Sequence, residues 1–250
     1  MTSVLWNEMT AEELRAKAAA DAIVVLPVAS VEQHGPHLPV GVDTILCERI
    51  CKAAAERVDG NEVVVAPTVW CGMAEHHMAF GGTFTFDIPT YRAVLLCLLK
   101  NLERHGFRRV VIVNGHSGNT SALMAFLPDF ACETKLRVRA AMYFSAADRA
   151  VMSVLEDATG THANEFETSM MMALAPELVR DDRLRDAFGG QEPERKGAPI
   201  LKRTARHRSF KDKTDSCVIG DARRANAKKG TALVEECVRS LAAILSHERV

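Results

Sequence analysis

A carboxylate and an imidazole stand two residues apart in the stretch EQHGPHLP, residues 32–39, which follows directly on an apolar run. In an extended segment, residues i and i+2 point to the same side, so Glu32 and His34 can face one ion together. Asp43 lies slightly further on, at the predicted start of a helix. Carboxylate oxygens and imidazole nitrogens suit Zn, Mn or Fe, so the three residues predict a metal site. The alternative is that Asp43 is only a helix N-cap.

A second polar cluster, VIVNGHSGN at residues 111–119, again ends an apolar run. Ligands of open α/β sheets bind outside the carboxyl ends of the strands, so His116 and His34 are predicted at the same sheet edge. The glycines permit a tight turn and close approach of the backbone to a ligand. We therefore expect Gly115 and Ser117 to contact the substrate. The alternative is that His116 is merely hydrogen-bonded within a turn.

The same segment allows a different chemistry, because GHSGN departs from the G-x-S-x-G nucleophile elbow only at its last residue, Asn119. A predicted strand precedes it and a predicted helix follows it, as in such elbows. Ser117 would then be the nucleophile of a serine hydrolase, with His162 and an acid such as Asp148 as partners. This interpretation leaves the polar residues between positions 32 and 43 without a role, so the metal hypothesis explains more of the sequence.

The third cluster is THANEFETS, residues 161–169. Glu165 and Glu167 would point in different directions on a helix but in the same direction on an extended segment. One of them is expected to face the site and the other to support it or to begin a helix. His162 is the candidate for proton transfer, because the ordinary pKa of histidine lies near working pH. In the loop before the third predicted helix, His77 is a candidate substrate contact.

The elements that must position these residues alternate between two patterns. Short runs rich in Val and Ile predict strands at residues 23–28, 62–66, 109–113 and 137–142. Between and after them, apolar residues at helical spacing predict helices at residues 43–58, 90–105, 119–133 and 228–246. Such alternation predicts an α/β fold with a parallel sheet and helices on both faces. With no repeat or convincing linker, one domain over residues 1–250 is the simplest interpretation.

Composition narrows the class of protein. The 250 residues carry a formal net charge of -1, which gives no reason to expect nucleic acid or an anionic membrane as a partner. No apolar run approaches the roughly 20 residues that cross a bilayer, and no secretory signal is evident, so a cytoplasmic location is expected. The seven cysteines include no CxxC pair, which argues against both a disulfide framework and a thiolate zinc site.

Taken together, the motifs resemble the creatininase (creatinine amidohydrolase) family. The resemblance rests on LPVASVEQHGPHLP at residues 26–39, Asp43, NGH at 114–116, His162-Ala163 with Glu-Thr-Ser at 167–169, FGGT at 80–83 and Gly-Asp at 220–221. It covers most of the chain, and the first motif is highly specific. It implies a compact three-layer α/β/α fold with a mostly parallel central sheet and a homo-oligomer, either a hexamer or another dimer-based assembly.

The resemblance also implies a chemistry: hydrolysis of a C–N bond in a small, cyclic amide or a formamide by a hydroxide bound to two divalent ions. Zn is the expected metal, with Mn or Fe as alternatives. Matched by position, the implied metal ligands are Glu32, His34, Asp43 and His116, with Asp43 bridging the ions. His162 is implied as the catalytic histidine.

Two departures from the family pattern affect this assignment. Creatinine-hydrolysing members have a glutamate two residues after the histidine of NGH, where this chain has Gly118. We therefore assign the missing metal ligand to Glu167 and keep Glu165 as the reserve and as a catalytic candidate. Those members also hold creatinine with tryptophans shortly before the HAG-like motif, whereas the tryptophans here are Trp6 and Trp70. Both departures argue against creatinine as the substrate.

Other activities within the family stay open at this stage. They are deformylation of a formylamino-pyrimidine, hydrolysis of a lactone or cyclic ketone, and cleavage of a modified peptide. A non-catalytic sensor of small molecules or nucleotides is a further alternative, but the sequence contains neither G-x-G-x-x-G nor a P-loop.

Overall fold

A computed structural model describes residues 3–58, 62–144, 153–157, 161–189 and 209–247. The central sheet is parallel, with the strand order β2-β1-β3-β4. Its strands are β1 (Ile23–Val28), β2 (Val63–Val65), β3 (Arg109–Asn114) and β4 (Arg137–Met142). The α-helices are α1 (Ala11–Ala19), α2 (Val42–Glu56), α3 (Ile88–Arg104), α4 (Thr120–Glu133), α5 (Glu165–Leu174) and α6 (Ala227–His247).

The two inner strands, β1 and β3, are buried along their whole length. Burial on both faces explains why each reads as a continuous apolar run rather than as an alternating pattern. Their register pairs Ile23 with Arg109 and Val28 with Asn114, so the two strands end together. Pro27 is tolerated inside β1 because the ladder with β2 covers only Ile23 to Val25, and Pro27 contributes its carbonyl to Val69 beyond that ladder.

Helices cover both faces of the sheet. Along β1, Ile23 and Val25 point into one core, which α2, α5 and α6 complete, while Val24 and Leu26 point into the other, which α1, α3 and α4 complete. This alternation follows from the two-residue period of a strand. The predicted three-layer α/β/α architecture with a parallel sheet is therefore confirmed.

The ends of the helices largely follow local signals. Asp87 caps α3 by accepting a hydrogen bond from the Thr90 N–H at 2.8 Å, and Gly106 after the helix has a φ of +89°. In contrast, α2 begins after Gly41 with no side-chain cap, so Asp43 lies within its first turn. The alternative interpretation of Asp43 as an N-cap is wrong, and its carboxylate is available for another role.

Some features of the structure were not predicted, and one predicted residue lies outside the described part of the chain. A short antiparallel pair, β5 (Phe188–Gly189) with β6 (Gly220–Asp221), was not predicted. The candidate acid Asp148 lies outside the described residues. The seven cysteines are free thiols in this structure. Within the described part of the chain, no helix combines the length and apolarity that crossing a bilayer would require.

Candidate metal centre

The side chains predicted to bind metal meet at the carboxyl edge of the sheet. Glu32 and His34 follow β1, and His116 follows β3. Asp43 comes from the first turn of α2 and Glu167 from the first turn of α5. Glu32, His34, Asp43 and His116 are each at most 4 % exposed. We call these five residues the metal centre.

The donor atoms of the metal centre form two groups that share Asp43. In the first group, His116 Nδ1 lies 3.1 Å from Glu32 Oε2 and 2.9 Å from Asp43 Oδ2. In the second, His34 Nε2 lies 3.4 Å from Asp43 Oδ1 and 4.0 Å from Glu167 Oε2. The donor atoms within each group lie within 4.8 Å of one another. Each group could therefore hold one ion, with a different oxygen of Asp43 directed to each.

Buried polar atoms without partners support this interpretation. Glu32 Oε2, His34 Nε2 and Asp43 Oδ2 are buried and make no hydrogen bond, although His116 Nδ1 is close to two of them. Buried polar atoms in native proteins are nearly always satisfied, so orphaned atoms that face one another require an explanation. Divalent cations would satisfy them, and the oxygen and nitrogen donors suit Zn, Mn or Fe.

Main-chain carbonyls orient both histidines of the metal centre. His34 Nδ1 lies 3.0 Å from the Glu32 carbonyl, and His116 Nε2 lies 3.2 Å from the Met73 carbonyl. A carbonyl only accepts, so these ring nitrogens carry the proton and donate it. In the neutral rings, the opposite nitrogens, Nε2 of His34 and Nδ1 of His116, then carry the lone pairs that are directed into the metal centre. Metal-binding histidines are typically held in this way.

The metal-free metal centre retains positive charge on a histidine. Burial by itself would lower the pKa of His34, but the surrounding carboxylates, Asp43 first, raise that pKa to about 10. Burial would raise the pKa of Asp43, yet His34 and His116 hold it below its ordinary value. Burial raises the pKa of Glu167 to about 7, against the opposing effect of His34. Protons thus occupy the place that cations would take.

His162 borders the metal centre. It is buried, its ring centroid lies 4.4 Å from that of His34, and its Nδ1 lies 3.8 Å from Glu32 Oε1. A bridge to Ile219 next to β6 holds its backbone. The Nδ1 atom of His162 therefore faces the metal centre.

Comparison with known proteins agrees with this geometry. The chain matches the family described as creatininase, creatinine amidohydrolase, over residues 7–245. It belongs to the creatininase family. It is 31 % identical to creatinine amidohydrolase of Pseudomonas putida over 267 aligned residues, which cover 98 % of this chain and 97 % of the relative. It is 30 % identical to mycofactocin precursor peptide peptidase of Mycobacterium ulcerans (strain Agy99), over 88 % of this chain and 84 % of the relative.

The likeness extends to the folded backbone. A solved structure named "Creatininase Mn" superimposes with a TM-score of 0.83 at 28 % sequence identity, covering 99 % of each chain. The resemblance drawn from the motifs is therefore confirmed, and the chain is an enzyme of a family of metal-dependent hydrolases. Because one relative is a peptide peptidase, the expected restriction to non-peptide bonds is not supported by the comparisons.

Gly118 marks a departure from creatinine-hydrolysing creatininases that is built into this structure. A Cβ at position 118 would lie 2.2 Å from His116 Nε2 and 2.5 Å from the Met73 carbonyl oxygen. No side chain fits there without displacing the loop that orients His116. Glu167 approaches His34 from α5 instead and forms the second group together with Asp43.

Glu165 does not join the metal centre, although it is fully buried. Its Oε2 accepts hydrogen bonds from the backbone N–H groups of Glu156 and Asp157 at 2.9 and 2.8 Å. Its Oε1 lies 2.5 Å from Lys229 Nζ. The catalytic role considered for Glu165 is thus not supported by its position. Because α5 begins at Glu165 with Asn164 as N-cap, Glu165 and Glu167 diverge, as expected on a helix.

The three predicted substrate contacts lie in different surroundings. His77 is buried, with Nε2 3.2 Å from Glu32 Oε1, so it faces a metal ligand. The Gly115 N–H donates to the Val28 carbonyl at 2.8 Å and is already used in the sheet. Ser117 is exposed at the start of a 3-10 turn beside His116. Ser117 is therefore the one of the three with a side chain open to solvent.

Sequence reasoning did not identify Asn114 and Phe210 as residues of the site. Asn114 Oδ1 accepts from the His116 N–H at 3.0 Å, and its Nδ2 donates to the His116 carbonyl at 2.8 Å, which shapes the turn. Its place in NGH was an available signal. The Phe210 ring lies 4.1 Å from the ring of His77 and 4.9 Å from that of His162. No local pattern marks Phe210, which reaches the site from a distant part of the chain.

Proposed function

We propose that this creatininase-family enzyme hydrolyses the C–N bond of a small, cyclic amide or a formamide. The observation that carries the proposal is the pair of ion-binding groups that share Asp43 beside His162. When bound, two divalent ions, Zn or alternatively Mn or Fe, would activate water for attack and polarise the carbonyl.

Each residue has a distinct task in this proposal. Glu32, Asp43 and His116 would hold one ion, and His34 and Glu167 would join Asp43 to hold the other. His162 accepts a proton at Nδ1, which faces the metal centre, and returns it to the departing nitrogen. Burial holds the pKa of His162 well below its ordinary value, so the ring is neutral before the reaction begins. Without that proton the amine would be a poor leaving group.

Creatinine is not the substrate that we propose. The glutamate of creatinine-hydrolysing members is replaced by Gly118, where a side chain would clash with His116. The described tryptophans pack against other rings: Trp6 packs against Phe107, and Trp70 is 49 % exposed beside Phe84. Phe210 is the aromatic ring that flanks His162 instead.

Cleavage of a modified peptide is a second candidate function. It is favoured by the 30 % identity to mycofactocin precursor peptide peptidase over 88 % of this chain. A peptide amide and a cyclic amide require the same attack on a carbonyl and the same protonation of nitrogen. The difference would lie in the space above the metal centre rather than in the chemistry.

The test begins with elemental analysis of the purified protein. Metal-loaded protein is then screened against cyclic amides, formamides, lactones and short modified peptides. Removal of the metal by a chelator should abolish turnover of any substrate found, and return of Zn or Mn should restore it. Activity that persists in the chelated, metal-free protein would refute the proposal.

Further expectations belong to the same proposal. We propose one domain over residues 1–250, a cytoplasmic location and a homo-oligomer, either a hexamer or another dimer-based assembly. Sedimentation velocity on the metal-loaded protein measures the last of these directly, and a monomer would contradict it.

A further inference from the structure

Gln33 lies in the chain between Glu32 and His34 of the metal centre. It contacts two further buried histidines, His77 and His162. Its side-chain Nε2 lies 2.8 Å from His77 Nδ1. Its main-chain carbonyl oxygen lies 2.9 Å from His162 Nε2. The residue itself is 7 % exposed, so water competes little for these contacts. Gln33 therefore contacts both of the rings that face Glu32 Oε1.

The backbone determines how the Gln33 amide is oriented. The Gly35 N–H donates to Gln33 Oε1 at 3.1 Å, so the other end of the amide is the NH2 group. An amide nitrogen only donates, so His77 Nδ1 must accept and cannot carry a proton. The proton of His77 is then on Nε2, which lies 3.2 Å from Glu32 Oε1 and donates to it. This leaves Glu32 Oε2 directed at His116.

The Gln33 carbonyl determines the state of His162 in the same way. A carbonyl oxygen only accepts, so His162 Nε2 carries the proton. The Gln33 side-chain nitrogen is also 3.3 Å from His162 Nε2, but two donors do not bond, and the carbonyl is the nearer partner. The neutral ring therefore keeps its lone pair on Nδ1, the nitrogen that faces Glu32.

We propose that Gln33 is a positioning residue that sets the tautomers of His77 and His162, both protonated on Nε2. Through His77 it orients Glu32 for an ion, and through its carbonyl it keeps His162 Nδ1 free to accept a proton. The second consequence rests on the proposed function, whereas the tautomers themselves do not.

Nitrogen chemical shifts of the imidazole rings report the tautomers directly. The zinc-loaded protein is labelled with ¹⁵N-histidine, and the signals are assigned with the variants His77→Gln and His162→Gln. We expect a protonated Nε2 and a bare Nδ1 in both rings. A proton on Nδ1 of either ring in the wild-type protein would overturn the assignment, and this measurement does not depend on whether any variant folds.

The role of the side chain is tested with Gln33→Met, which removes the amide but keeps length and main chain. We expect zinc affinity to fall by about 10–100-fold, the usual effect of losing a group that orients a metal ligand, and the His77 tautomer to become mixed. The His162 tautomer should persist because its carbonyl partner remains. Unchanged zinc affinity with an unchanged His77 spectrum would contradict the proposal.

A matched control comes from Thr83, whose Oγ1 accepts from the Gln33 N–H at 3.2 Å. Thr83→Val removes this hydrogen bond to the main chain of Gln33 but leaves the contacts of the Gln33 side-chain amide in place. Zinc affinity and both tautomers should therefore match the wild type. Zinc affinity is measured by competition with a chromophoric chelator. If the wild-type protein binds no zinc, the proposed function fails, and the tautomers are then measured in the metal-free protein, where the same result is expected. If zinc binds but the tautomers differ, only the role of Gln33 fails.

Discussion

Two carboxylate clusters meet the first turn of α5, one through Glu165 and the other through Glu167. In one, Glu165 accepts two backbone N–H groups and an ammonium, that of Lys229, which also contacts Glu156 at 2.7 Å. We call this the Lys229 network. In the other, the metal centre, Glu32 Oε2 and Asp43 Oδ2 have no hydrogen-bond partner. Glu167, two residues after Glu165, belongs to the second.

The two clusters differ in whether the protein itself supplies hydrogen-bond partners for the carboxylate oxygens. The chain supplies a cation and backbone donors to Glu165, so that carboxylate is complete without anything from outside. The metal centre contains more carboxylates than fixed cations, since its described partners are histidines. In the metal-free protein, protons on His34 and Glu167 offset part of this buried charge, and divalent cations would offset it in their place. Burial alone therefore does not distinguish Glu165 from Glu32 and Asp43, whereas the buried carboxylate oxygens without hydrogen-bond partners do.

The largest effect is expected from Asp43→Asn, which removes charge from the residue shared by both groups. Zinc binding should fall from two ions to at most one. Hydrolysis should fall by more than the roughly 100-fold that follows loss of an indirect contact to a metal. Metal content by elemental analysis and initial rates check both outcomes. Two tightly bound ions in the variant would show that Asp43 does not bridge them.

Lys229→Met should lower stability and leave zinc binding unchanged. It leaves Glu165 Oε1 without its ammonium partner, so the free energy of unfolding of the metal-free protein should fall by about 1–3 kcal/mol. Zinc stoichiometry should be unchanged. The control is Lys228→Met, which alters an exposed neighbour on the same helix. Urea unfolding of both variants measures the difference, and equal stability would mean that the Lys229 network contributes nothing.

Zinc affinity should rise with pH. In the metal-free protein the pKa of His34 is about 10 and that of Glu167 about 7, so at neutral pH His34 is protonated and Glu167 is partly protonated, and an ion must displace these protons. Binding should therefore release protons, and affinity should increase from about pH 6 to pH 8. Calorimetry in buffers with different ionisation enthalpies counts these protons.

Glu167→Gln should release fewer protons at the same pH, because one titrating ligand is gone. Affinity that does not change with pH would contradict the placement of these ligands. The Lys229 network should stay charged over this pH range, because the effect of burial on the pKa of Lys229 is outweighed by hydrogen bonds to Glu156 and Glu165, which raise that pKa.

The smallest effect is expected from Ser117→Ala. Ser117 is exposed and belongs to neither cluster, so activity should stay within a few-fold of wild type. The serine-hydrolase alternative makes the opposite prediction, because it requires Ser117 as the nucleophile. Labelling of Ser117 by a fluorophosphonate, together with loss of activity in the variant, would contradict the metal mechanism and support the serine-hydrolase alternative.

Much of the fold could be predicted because burial selects apolar residues, in continuous runs along inner strands and at helical spacing along helices. The prediction of β1 at residues 23–28 matches Ile23–Val28, and β4 matches Arg137–Met142. The helix predicted from residue 43 begins at Val42. The small sheet of β5 and β6 escaped prediction, because two-residue strands carry no period.

The amino-acid sequence by itself determined which donors the site contains and which sheet edge they reach, since strand ends and glycine turns are local properties. It left open whether Glu165 or Glu167 would face the ions, whether Asp43 was only a cap, and what Gln33 and Phe210 would contact. Tertiary structure decided these points. Direction on a helix depends on where the helix begins, and the pairing of a buried charge depends on groups such as Lys229 that are distant in the chain.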